Sequence, residues 1–198
     1  MSQDGRRMQS CATAGQETRS RPTRSALVER ARLGDVGAFD ELYREHRDRV
    51  YTLCVDLCGD REMAEDALQE TFVKAWRGVR GFRGRSSFAT WVHRIAVNAC
   101  RDAARRSPHP PAPSPRLARG SDEDGGDSFG RDALVEQVRA TLAGMKPSFR
   151  AALVLRYTLG LSYEEIGETL GWSMAKVKVT IHRAKAAFRE AYVGGDEG

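Results

Sequence analysis

Lys176, Lys178, His182, Arg183, Lys185 and Arg189 crowd one stretch near the C-terminus, and no acid interrupts residues 173–189. Ammonium and guanidinium groups at this density neutralise phosphate, and the same groups donate to the O6 and N7 edge of guanine. Val177, Ile181, Ala184 and Phe188 interleave with them at steps of three and four, which predicts a helix with one apolar side and one cationic side. A helix of that kind fits the major groove of B-DNA. A second basic block spans residues 71–106, where Lys74, Arg77, Arg80, Arg83, Arg85, Arg94, Arg101, Arg105 and Arg106 face Asp102 alone, for a net charge of +8. Residues 26–70, directly before it, carry −6. The basic blocks suit a polyanion, whereas the acidic block suits a different, cationic partner.

Catalytic chemistry has no comparable support. His46, His93, His109 and His182 stand apart, and no nucleophile–base pair, phosphate loop or metal-ligand set is present. The four cysteines make no C-x-x-C pair. Cys54 and Cys58 share a helix face with Leu53 and Leu57, which predicts buried structural thiols. The acidic run Asp122, Glu123, Asp124 and Asp127 lacks the ligand spacing and closing Glu of a calcium loop. The expectation is a protein that is not an enzyme, with no cofactor, no metal and no small-molecule substrate.

Helices must position these groups. Phe39, Leu42 and Tyr43 fall on one face, and Val50, Leu53, Cys54, Leu57 and Cys58 continue it until Gly59-Asp60 breaks the helix. Ala64, Ala67, Leu68, Thr71, Phe72, Ala75, Trp76 and Val79 form the next stripe, which ends in a loop punctuated by Gly78, Gly81 and Gly84. Phe88, Trp91, Val92, Ile95, Ala96, Ala99, Cys100 and Ala103 form another, with Ser86 or Ser87 as its N-cap. Past a proline-rich and then acidic stretch, helical spacing returns with Leu134, Val135, Val138 and Leu142, and again from Pro147. Ser162-Tyr163-Glu164-Glu165 is a capping box, Gly171 suits a left-handed turn, and Ser173 caps the cationic helix. Helix, short turn with Gly, helix is the helix-turn-helix pattern.

The full chain has 198 residues, 40% apolar and 30% charged, with a net charge of +5. No run reaches the roughly 20 apolar residues that span a bilayer, and the N-terminus lacks the apolar segment of a secretory signal, so no membrane insertion and a cytoplasmic location are expected. The fold class expected is all-α, with two small helical domains, a bundle of about four helices and a helix-turn-helix domain, joined by a flexible linker. The divisions are a disordered tail over 1–25, a first domain over 26–106, a linker over 107–130, a second domain over 131–193 and a tail over 194–198.

Asp66-Ala67-Leu68-Gln69-Glu70-Thr71-Phe72-Val73-Lys74-Ala75-Trp76 resembles the polymerase-binding helix of the extracytoplasmic-function (ECF) sigma factors, with its D-x-x-Q-E-x-F-x-x-x-W pattern. Phe88-Ala89-Thr90-Trp91-Val92-His93-Arg94-Ile95-Ala96-Val97-Asn98 resembles the F-x-T-W-L-x-x-I-A-x-N segment that reads the −10 promoter element. Gly160-Leu161-Ser162-Tyr163-Glu164-Glu165-Ile166-Gly167, followed by Val177-Lys178 and His182-Arg183-Ala184, is similar to the family's −35-reading helix-turn-helix. The resemblance implies that residues 26–106 are sigma region 2 and residues 131–193 sigma region 4. It implies that Asp66, Gln69, Glu70 and Phe72 bind core polymerase, with Asp66 and Glu70 on an exposed helix face. It assigns Phe82, Arg83, Arg85, Ser86, Ser87, Arg94 and Asn98 to −10 binding and melting, the loop before the fourth helix being the place to capture a flipped base. Trp91 sits on the apolar stripe, which predicts a core side chain rather than a base stacker. The resemblance assigns Ser173, Lys176, Lys178, Val179, His182, Arg183 and Lys185 to the −35 element. The partners implied are core RNA polymerase, promoter DNA and an anti-sigma factor. A stand-alone helix-turn-helix regulator, binding an operator without polymerase, is the alternative, and it leaves the acidic helix and the Gly/Arg loop without a task.

Overall fold

The computed structural model describes residues 24–106 and 128–194. The tail over 1–23, Cys11, the proline-rich and acidic linker residues 107–127 and the last four residues lie outside the described residues.

The first four helices are α1 (Arg24–Arg32), α2 (Val36–Cys58), α3 (Arg61–Gly78) and α4 (Phe88–Arg106). Their ends follow local chemistry. Asp35 and Asp60 cap α2 and α3, each carboxylate accepting from a backbone N–H, Ala38 at 3.0 Å and Met63 at 2.8 Å. Gly59 ends α2 at φ 69°, where its missing Cβ removes the left-handed penalty, so two long helices reverse within two residues. Of the two serines that could open α4, Ser87 is the cap, its hydroxyl accepting from Thr90 N–H at 3.0 Å.

Leu42, Val50 and Leu53 from α2, Ala64, Ala67 and Ala75 from α3, and Val92, Ala96 and Ala99 from α4 are buried together. Small alanines on α3 and α4 let the helix axes approach closely. Trp91, expected in the core, is only half-buried and packs against Phe82 and Phe88 at the core's edge. Cys54, Cys58 and Cys100 are all buried as free thiols. Cys100 bonds to both of the others, so the pair foreseen on one helix face is a three-thiol cluster across α2 and α4. The bond to Cys100 and then burial push the Cys58 thiol up, and the bond to Cys54 pushes the Cys100 thiol up, away from the reactive thiolate.

The second half comprises α5 (Ser128–Gly144), α6 (Pro147–Leu153), a π-helical turn (Val154–Thr158), α7 (Tyr163–Leu170) and α8 (Met174–Gly194). Val138 and Leu142 turn inward on α5, but Leu134 and Val135, expected on the same apolar face, are exposed. The C-terminal carbonyls of α5 are satisfied by a side chain: buried Arg150 donates to Leu142 O at 2.8 Å and to Ala143 O. That contact lets α6 begin sharply at Pro147, the first residue of the helix. The capping box of α7 is complete, with Ser162 Oγ accepting from Glu165 N–H at 3.2 Å and Glu165 Oε2 accepting from Ser162 N–H at 2.8 Å. Gly171 sits at φ 67°, and Trp172 N–H donates to Gly167 O at 2.9 Å. A Cβ on Gly167 would lie 3.0 Å from the Trp172 carbonyl oxygen, so this glycine permits the tight turn.

The two halves are not held apart. α7 packs on α4, and α5, α6 and the π turn pack on α2. Among the described residues there is no strand, and no helix is long and apolar enough to cross a membrane.

Candidate polymerase and promoter interfaces

On α3, the positions left over by core packing form the first surface. Ala67, Leu68, Thr71 and Ala75 face inward, so Asp66 and Gln69 point to solvent at the same turns. Glu70 differs from its expected free exposure. It is half-buried, bonded to Lys74 Nζ at 2.7 Å one helical turn on and to Arg106 Nη2 at 3.1 Å on α4. Lys74 first, and Arg106 after it, hold its carboxyl below the usual glutamate range. Phe72 is buried edge-on against Tyr43 at 4.7 Å, yet its ring still borders an open groove of about 440 Å³ with Leu68, Gln69, Val73 and Trp76. A second groove of about 550 Å³, bordered by Met63, Asp66, Gln69, Glu70, Ala103 and Arg106, adjoins it. The α3 surface is thus grooved and apolar at its floor, with Asp66 exposed at the rim and Glu70 paired to Lys74 and Arg106.

The second surface is the loop before α4 together with the outer face of α4. Phe82 is buried against Phe88 and Trp91, with centroids 6.1 and 5.2 Å away, so this ring anchors the loop. Gly84, at φ 66°, turns the chain, leaving Arg83 and Arg85 exposed. Arg83, Ser86 and Ser87 border a cavity of about 570 Å³ that also touches Arg24 and Arg32 on α1 and His46 on α2. Glu29, paired with Arg32, and Glu165 also border it, so its wall mixes cations, hydroxyls and carboxylates, and its size suits one unstacked nucleotide. Further along α4, Arg94 and Asn98 are exposed, and Asn98 Oδ1 accepts from Arg101 at 3.3 Å. The buried side of the same helix carries His93, whose two ring nitrogens find no partner among the described residues and whose burial lowers its pKa to about 4. This loop surface shares no bordering residue with the α3 grooves.

The third surface is α8. Val177, Ile181 and Ala184 are fully buried, which fixes the helix rotation and turns Lys178, Val179, His182 and Arg183 outward. Val179 is 50% exposed between cationic neighbours, an apolar spot suited to a thymine methyl. Lys176 lies over the Trp172 ring at 4.7 Å, and Ser173 Oγ accepts from Lys176 N–H at 3.4 Å. Lys185 departs from that row: with Arg189 it borders an apolar groove made by Val138, Leu142, Phe188 and Tyr192.

Residues 42–108 match the family model Sigma-70 region 2, and residues 135–188 match Sigma-70, region 4. The chain is similar to the ECF RNA polymerase sigma factor SigE of Mycolicibacterium smegmatis, 36% identical over 182 residues, covering 88% of this chain and 69% of that protein. It is also similar to the RNA polymerase sigma-H factor of Pseudomonas aeruginosa, 33% identical over 176 residues, covering 83% and 91%. Its fold is like that of CnrH, solved in complex with the cytosolic domain of CnrY, at a TM-score of 0.66 and 26% identity over 86% of this chain and 97% of that one. The chain belongs to the ECF sigma factors.

As a sigma factor it binds polymerase and is promoter-specific, which removes the stand-alone regulator: a repressor would need region 4 and have no use for region 2. Sequence reasoning did not anticipate three features of this factor. Arg106, at the end of α4, pairs with Glu70 and, with Lys74, offsets its charge. His46 joins the loop cavity from α2. Glu165, the capping residue of α7, borders that same cavity from region 4. The last two lie far from the loop in sequence, so no local spacing could have marked them.

Proposed function

We propose that the three surfaces divide the work of initiation. Region 2, residues 26–106, docks on core polymerase through α3 and reads and melts the −10 element through the loop and α4. Region 4, expected from 131 but opening with α5 at Ser128, reads the −35 element through α8. The observation that supports this reading is the presence of two separate surfaces on one small domain: the grooved α3 with exposed Asp66, and the loop with exposed Arg83 and Arg85, whose bordering residues are not shared. One domain can then hold a cationic protein surface and an anionic strand together. Asp66 and Gln69 make the exposed polar contacts to polymerase, Glu70 contributes through its pair with Arg106, and Phe72 shapes the groove floor. Arg83, Arg85, Arg94 and Asn98 meet the −10 strand, Ser86 and Ser87 line the base cavity, and Phe82 sets the loop. Ser173, Lys176, Lys178, Val179, His182 and Arg183 face the −35 groove, with Lys185 at its phosphate edge. The protein works in the cytoplasm as a non-catalytic factor, and the likeness to a CnrH–CnrY complex supports control by a cytosolic anti-sigma segment.

Charge reversal on α3 is the test. Asp66→Lys places a like charge at the polymerase contact, and because Asp66 is exposed it leaves the fold intact. Pull-down of core polymerase should fall at least about tenfold, a loss of roughly 1.4 kcal/mol or more, with an unchanged melting temperature. Glu70→Lys should also lower the melting temperature, because it breaks the bond to Arg106. Undiminished pull-down by both variants contradicts the assignment of α3.

A further inference from the structure

Lys176 stands where helix chemistry disfavours it. α8 opens at Met174, and Ser173 caps it: Ser173 Oγ accepts from Lys176 N–H at 3.4 Å, and Ser173 O accepts from Val177 N–H at 3.0 Å. Lys176 is therefore the third residue of the helix, beside the N–H groups at the positive end of its dipole. An ammonium is repelled there and a carboxylate is favoured. α7 shows the ordinary arrangement, with Glu165 at the same position bonded back to its cap. The first turn of α8 holds no acid to neutralise Lys176. An aromatic ring stands in that place: Lys176 Nζ lies 4.7 Å from the centroid of the Trp172 ring. A residue that breaks a local rule and is held there by a neighbour points to function.

Trp172 is itself fixed by the turn. Its N–H donates to Gly167 O at 2.9 Å, and its carbonyl oxygen lies 3.0 Å from where a Cβ on Gly167 would stand. Its side chain packs half-buried against the core. The turn between α7 and α8 thus presents a ring face at a set place beside the recognition helix. The ring attracts the charge of the ammonium without consuming its three N–H donors, so Lys176 is held and can still bond to a ligand. An exposed lysine otherwise has to be ordered at the moment of binding, and a ring that holds it beforehand lessens that loss. Lys176 and Lys178, two residues apart, leave α8 on opposite flanks of exposed Val179.

We propose that Trp172 is a positioning residue for −35 recognition: it holds Lys176 over its indole face so that the ammonium reads the O6 and N7 edge of a guanine, on the flank of α8 opposite Lys178. The proposal rests on the placement of α8 in the −35 groove and adds to it a residue of the turn, outside the recognition helix. Lys176 lies in the first turn, the part of such a helix that reaches base edges, and the guanine edge offers two acceptors to a lysine.

The test uses holoenzyme assembled from core RNA polymerase and the full-length factor, as wild type, Trp172→Leu, Trp172→Phe, Lys176→Ala or the Trp172→Leu/Lys176→Ala pair. Each transcribes a promoter that the wild-type holoenzyme uses and a set of templates in which every −35 base pair is changed in turn. The readout is the ratio of run-off yields on original and changed templates, which a smaller folded fraction does not move. Lys176→Ala should erase a preference of about tenfold at one G·C pair and leave the other pairs as they were. Trp172→Leu keeps an apolar side chain on the core and removes the ring, and should weaken the preference at that same pair about threefold. Trp172→Phe, whose ring still attracts a cation, should restore most of it. The double variant should match Lys176→Ala, because a ring with no ammonium to hold has nothing left to position. Equal losses on all templates for Trp172→Leu, a change at a different pair, or additive losses in the double variant would overturn the proposal. If Lys176→Ala alters one preference and Trp172→Leu alters none, Lys176 remains a −35 reader and the positioning role is discarded. If Lys176→Ala alters none, its place in the −35 groove fails and the proposal with it.

Discussion

Reading and holding are different tasks for a side chain, and α8 separates them along its length. Lys178, Val179 and His182 lie in its first half, on the face opposite buried Val177 and Ile181. Helix-turn-helix proteins touch base edges from this part of the recognition helix. Arg189 lies further on and borders the apolar groove beside Phe188 and Tyr192, away from that row. Lys178→Ala should therefore cost about 1–3 kcal/mol on the cognate −35 duplex and relax preference at one base pair. Arg189→Ala should weaken cognate and scrambled duplexes alike, and at most lower the salt slope by about one unit. Titrations of both variants on both duplexes at several salt concentrations decide it. The contrary result is a uniform loss for Lys178→Ala with altered sequence preference for Arg189→Ala. Most of this row was legible in the sequence, because Val177, Ile181 and Ala184 fix the rotation of the helix and so name its outer face. Glu70 was not legible in the same way. Its partner Arg106 is 36 residues on and meets it only because α3 and α4 pack side by side.

At the scale of elements, the caps and the apolar spacing carried nearly all the information. Asp35, Gly59, Asp60, Ser87, Ser162 and Gly171 each act where local chemistry places them, and they set the ends of α2, α3, α4 and α7. Leu134 and Val135 mark the limit, since periodicity identifies an apolar face without saying whether a neighbour covers all of it. Packing of α4 against α2 also buries an imidazole with no hydrogen-bond partner among the described residues. His93 faces His46 and Arg49 from α2 and Glu165 from α7, and burial, more than these charges, depresses its pKa to about 4. Burial lowers the pKa of His46 as well. The unfolded chain, with histidines near 6.5, then binds more protons than the folded one as the pH falls below that value. Stability is full above about pH 6.5, declines toward pH 4 and gains no further loss from His93 below it, for a total of about 3 kcal/mol from that residue. Urea denaturation midpoints of the wild type should fall over this window, and His93→Leu should flatten the decline. An identical pH slope in the two proteins would show that His93 titrates normally.

At the scale of the whole molecule, the sequence displays two functional halves but not the way they meet. The bonds that join them run mostly from arginines to main-chain oxygens, Arg49 to Leu159, Arg94 to Glu168 and Arg150 to Leu57, and a carbonyl acceptor leaves no mark on residue type. The charge pattern, by contrast, is written in composition: an acidic block, a basic block and a basic final helix, the order in which the proposed polymerase, −10 and −35 contacts follow one another. In the proposed division of work region 2 and region 4 each read only part of a promoter, so function is conditional on polymerase. Run-off transcription tests this dependence most directly. Core RNA polymerase, the purified factor and a linear template from upstream of the factor's own gene are combined, with each component omitted in turn. A discrete transcript should appear only when core and factor are both present, and Asp66→Lys should abolish it at limiting factor. A factor that binds that duplex tightly alone, with a transcript pattern from core that its addition leaves unchanged, would contradict the account.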